Sequence, residues 1–154
     1  MVDVLLARTA HLVFAALWAG SVFYVAFVVV PLARDGAFNS TAPLETISGK
    51  LATISRTSSL VLFLSGSHLA AVVYDSNTLF FSLRGRLVLL MVALWLVLTA
   101  LVEVATKRFE SGLNGKKLRE PARDALPLFR AAAIVSVALL LVAGALTGGI
   151  ARFV

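Results

Sequence analysis

Two histidines, His11 and His68, are the residues of this chain whose chemistry stands out most from their surroundings. Each lies inside an apolar run: HLVFAALWAGSVFYVAFVVV leads from His11 to Pro31, and SGSHLAAVVY surrounds His68. An ionisable side chain is penalised in an apolar layer, so its presence there marks a functional candidate. Neutral imidazole is a good ligand for iron, copper and zinc. Trp18 follows His11 by seven residues. At 100° per residue the two side chains differ by only about 20° around a helix, so they share one face. His68 comes directly after Ser65–Gly66–Ser67, small residues that let helices approach closely. Met91 and Trp95 lie one turn apart in a third apolar run.

Imidazoles from two facing helices can clamp a haem b iron from both sides. Arg84 and Arg86 then supply charge for the propionates, or anchor the chain at the headgroups. Copper is the alternative, held by His11, His68 and Met91, since a thioether suits Cu(I). Catalytic zinc usually needs three protein ligands, which two histidines without an acid at their depth do not provide. No G-x-S-x-G stretch points to a hydrolase nucleophile. A purely structural reading stands beside these. In it either histidine hydrogen-bonds a serine such as Ser65 or Ser67, Met91 fills the core, and Trp18 and Trp95 pack or wall a flat ligand.

The elements that must position these residues follow from composition. The chain has 154 residues, 60% hydrophobic and 14% charged, with mean hydropathy +0.96. Soluble domains carry about a quarter charged residues, so this is an integral membrane protein. It has no cysteine, which excludes disulfides, thiolate metal sites and iron–sulfur clusters. Its net charge of +6 is read as basic loops facing an anionic leaflet and not as a nucleic-acid surface. Apolar runs predict four spans, at about 4–30, 51–74, 87–107 and 128–153. Short connections between them predict a single all-α domain, an up-down four-helix bundle. The first run lacks a basic leader and a small-residue cleavage site, so it is expected to be a permanent span. Pro31 is expected to end it, Asp75–Ser76–Asn77 to form a tight turn, and Pro121 and Pro127 to bracket the start of the last helix. Gly144 and Gly148 form a GxxxG, expected as a packing seam.

Of the 14 Lys and Arg residues, all but Arg8, Arg84, Arg86 and Arg152 fall in or beside the loops after spans one and three. That asymmetry predicts a multi-pass protein of the cell membrane with both termini outside. At 1.5 Å per residue, His11 lies about 10 Å below the outer surface, His68 about 9 Å and Met91 about 6 Å, a common level on three helices. Glu103, one turn before Lys107, is expected to form a local ion pair with it.

The segment HLVFAALWAGSVFYVAFVVVP resembles the first helix of the copper-resistance protein D (CopD-like) membrane domain, with a histidine ahead of a tryptophan–glycine step and an aromatic pair. RGRLVLLMVALWLVLTALVEVATKR is similar to the same family's third helix. The related HemJ-type haem proteins share the first-helix pattern at His11, Trp18 and Tyr24, with Ser21 where that pattern has glycine. The resemblance implies a haem-associated histidine at His11 or, through the CopD-like label, copper transport or homeostasis. The expected activity is therefore electron transfer or membrane redox chemistry, with an oxidoreductase reaction left open and no catalytic residue assigned. The expected surroundings are the lipid bilayer and a redox partner or membrane subunit, with homo-oligomerisation open.

Overall fold

The computed structural model describes residues 1–147. Within them the chain forms four helices long and apolar enough to cross a membrane. They are α1 (Val2–Asp35), α2 (Ala42–Val73), α4 (Leu83–Asn114) and α5 (Arg119–Thr147), with a short α3 (Ser76–Phe81) before α4. Successive long helices run antiparallel, and each packs on two neighbours in the cyclic order α1, α2, α4, α5. The architecture is the expected all-α four-helix bundle. One end carries the start of α1 and α3; the other, here called the basic end, carries the α1–α2 and α4–α5 loops.

Every long helix outruns its apolar stretch. α1 continues past Pro31, contrary to the expected stop. It does so through one wide turn, Val25–Val29, in which the Val30 N–H reaches the Val25 carbonyl. Such a π turn accommodates the missing proline donor and its ring without breaking the helix. The helix ends at Gly36, whose φ of +85° is left-handed. There the Gly36 and Ala37 N–H groups bond the Ala33 and Leu32 carbonyls at 3.2 and 3.0 Å, a Schellman cap. α2 begins at Ala42, nine residues before the expected Leu51, because Pro43 suits a first turn and Leu44, Ser48 and Leu51 are all buried.

The Asp75 turn is instead the cap of α3: the Asp75 carboxylate accepts from the Thr78 N–H at 2.9 Å. Ser82 likewise caps α4, accepting from the Gly85 N–H at 3.0 Å, so α4 starts before the expected Leu87. α5 starts at Arg119 with Pro121 in its first turn and Pro127 inside it. Its early turns form because Pro121, Ala122, Ala125 and Leu126 are buried where α5 packs on α4 and on the last turns of α1. Gly112 of α4 lies where any Cβ would collide with the Pro121 ring.

The core follows a three-four spacing. On α2 the buried residues Leu44, Ser48, Leu51, Ser55, Ser58, Leu62 and Ser65 repeat every three or four positions, the pattern of helices crossing at a shallow angle. Small residues, among them Ala105, Ala122, Ala125 and Ala132, bring α4 and α5 close, and Phe109 meets Phe129 edge-on at 6.1 Å. Packing is uneven along the bundle. Toward the α3 end, no described residue beyond Trp18 on α1, Ser65 on α2 or Ser136 on α5 is buried, and on α4 none before Leu98 except Gly85 in the α3–α4 turn. The helices are sealed at the basic end and looser at the other. Among the described residues a Cβ at Gly144 would meet nothing within 4 Å, so none of them forms a seam on it, and Gly148 lies outside the described residues.

Candidate functional site

His11 lies on the α1 face that turns to α2, at the upper limit of the sealed core. Its Nδ1 is 2.9 Å from Ser65 Oγ. The Ser65 hydroxyl also lies 2.6 Å from the Val61 carbonyl, a pure acceptor, and its single proton goes there. Ser65 Oγ therefore accepts from His11, which assigns the proton to Nδ1 and leaves Nε2 with the lone pair. This is the tautomer of an imidazole whose Nε2 binds a metal while a neighbouring oxygen orients the ring. Gly66 completes the seat. A Cβ there would stand 3.2 Å from His11 Cε1, so a larger residue would push the ring aside.

Trp18 shares the α1 face with His11, as the spacing requires. It is buried and donates from Nε1 to Ser55 Oγ at 2.9 Å. Two hydrogen bonds thus tie α1 to α2 and fix their register.

His68 takes a different partner. Its Nε2 lies 3.5 Å from the Asp3 carboxylate, and its side chain is 43% exposed. Ser65 and His68 are three residues apart on α2, about one turn. The histidines therefore occupy the same end and the same α1–α2 interface but neither imidazole has the other as its partner. Met91 is half-buried on α4, and Arg84 and Arg86 are exposed at the start of that helix, at the histidine end. Trp95 stacks on Phe63 of α2, ring centroids 5.7 Å apart, and its buried Nε1 has no partner among the described residues.

Glu103 does pair with Lys107, at 3.2 Å. It also receives Arg56 of α2, through Nη2 at 2.9 Å and Nε at 3.4 Å, which the one-helix spacing could not reveal. The signal was an arginine five residues into an apolar run, a position that calls for a partner. Ser55 and Asp3 escaped notice for the same reason: their partners come from another helix.

No family model, curated protein or solved structure matches this chain.

Proposed function

We propose that this chain is a membrane redox protein that holds haem b through His11, with His68 as the second axial ligand. The observation that carries the reading is the committed proton of Ser65, which leaves His11 Nε2 as a lone-pair donor inside the membrane. The donor set fits the group. A porphyrin brings four nitrogens of its own, so two histidines suffice, whereas a bare ion would need further protein ligands. The looser packing of the histidine end is in keeping with a bulky planar group there.

When bound, the haem supplies one-electron iron chemistry. Ser65 holds the Nδ1 proton and orients His11. Trp18, bonded to Ser55, keeps α1 in register so that His11 stays opposite Gly66. His68, whose present partner is the Asp3 carboxylate, would be the second histidine to hold the haem, and Arg84 and Arg86 would supply positive charge at the same end for the propionates. Cell-membrane location, termini outside, and a partner that donates or accepts electrons belong to this reading.

The test is the visible spectrum of the purified protein with its metal content. A Soret band in the wild type, lost or converted to a high-spin form in both His11→Ala and His68→Ala and intact in Met91→Leu, is expected. Bound copper without a Soret band, weakened by all three substitutions, moves the protein to the copper-handling alternative through His11, His68 and Met91. A haem unaltered in either histidine variant sinks the two-ligand model.

A further inference from the structure

At the basic end a hollow of about 630 Å³ opens where the last turns of α1 meet the first turns of α5. Arg34, Arg119, Glu120, Arg123 and Asp124 line it. The arginines come from both helices, so only the folded bundle brings them together. Arg119 has a prepared seat. α1 stops at Gly36, and the Arg119 guanidinium lies over that glycine: a Cβ there would stand 2.7 Å from Arg119 Nε and 2.8 Å from Cζ. The left-handed cap that ends α1 thus also makes room for the guanidinium. Arg119 and Arg123 are four residues apart on α5 and share a face.

The carboxylates do not use up these cations. Asp35 accepts from Arg34 Nε at 2.8 Å. Glu120 takes Lys117 at 2.6 Å, and Lys117 also attracts Asp124. Arg119 and Arg123 form no ion pair among the described residues. With Asp35 and Lys117 included, four cations stand against three carboxylates. No redrawing of pairs reverses the balance of this end, because its ten Lys and Arg outnumber its six Asp and Glu. Two guanidinium groups without an ion-pair partner, and a third beside them, suit an anion with oxygens on several sides. Phosphate is such an anion, whereas a carboxylate presents two oxygens in one plane and is satisfied by a single guanidinium.

We propose that this hollow binds a phosphate group, held by Arg119 and Arg123 with Arg34 at its side. A lipid headgroup and a soluble phosphate ester carry the same chemistry, and either can supply the group. The site lies at the opposite end from the histidines and stands or falls separately from the haem reading.

The test is calorimetric titration of inorganic phosphate into the full chain held in neutral phosphatidylcholine discs, in chloride buffer of fixed ionic strength. Saturable binding is expected. Arg119→Gln and Arg123→Gln should each weaken it about tenfold, the worth of one charged hydrogen bond. Asp124→Asn should tighten it, since a like charge leaves the lining. Lys50→Gln removes a positive charge of the same end outside the hollow and should change the affinity by less than about twofold. Absence of saturable binding overturns the proposal. So does a loss in Lys50→Gln as large as in Arg119→Gln, which means a diffuse field and no site. Phosphatidic acid mixed into the discs separates the two sources: displacement of phosphate supports a lipid headgroup, and undisturbed binding supports a soluble ester. Equal displacement by stearate, charged but without phosphate, overturns the proposal.

Discussion

Ser65 accepts the Nδ1–H of His11 at 2.9 Å while its own proton goes to the Val61 carbonyl at 2.6 Å. One hydroxyl thus fixes the tautomer of a histidine on another helix. Imidazole ¹⁵N spectra of the cofactor-free protein should show a protonated Nδ1 and a bare Nε2 at His11. Ser65→Ala should remove that preference and cost about 1 kcal/mol in stability, measured by denaturant titration in detergent micelles. Ser65→Thr, which keeps the hydroxyl, should preserve both.

Gly66 tests the seat of the ring. Gly66→Ala brings a methyl to 3.2 Å from His11 Cε1, a contact that a small shift of the ring can relieve. Gly66→Val adds bulk that such a shift does not relieve. The alanine variant should therefore keep the Nδ1–H signal of His11, and the valine variant should lose it.

Glu103 joins α2 to α4, so its removal should act between helices. A double-mutant cycle of Arg56→Gln with Glu103→Gln should give a larger coupling than one of Glu103→Gln with Lys107→Gln. The latter is an i,i+4 pair, worth a few tenths of a kcal/mol. Equal couplings would mean that the interhelical pair contributes nothing beyond the local one.

Two glycines should behave oppositely. Gly112→Ala drives a methyl into Pro121 and should destabilise the bundle by about 1–3 kcal/mol through overpacking of α4 on α5. Gly144→Ala enters open space and should leave thermal unfolding of the monomer unchanged or slightly raised. A large loss at Gly144 would place another molecule on that face.

The asymmetry of Lys and Arg predicts the sidedness. Cysteine placed at Asn77 should react with an impermeant thiol reagent in intact cells, and cysteine at Asn114 should not. The opposite labelling reverses the bundle in the membrane.

The amino-acid sequence determined the class of the protein and the number of its membrane helices. Apolar runs of bilayer length are a one-dimensional property, and backbone groups in lipid have few alternatives to a helix. It also placed His11 and Trp18 on one face, because helical phase depends only on the spacing of residues. The Glu103–Lys107 pair was legible for the same reason. Helix ends were not: α2 and α5 begin early because Leu44 and Ala122 find buried partners on other helices. Nor was the passage of α1 through Pro31, which takes one wide turn at Val25–Val29. Only the tertiary structure decided that His11 faces Ser65, that His68 turns to Asp3, and that Arg56 reaches Glu103. These are relations between helices, set by register and rotation in the bundle, and spacing within one helix does not encode them.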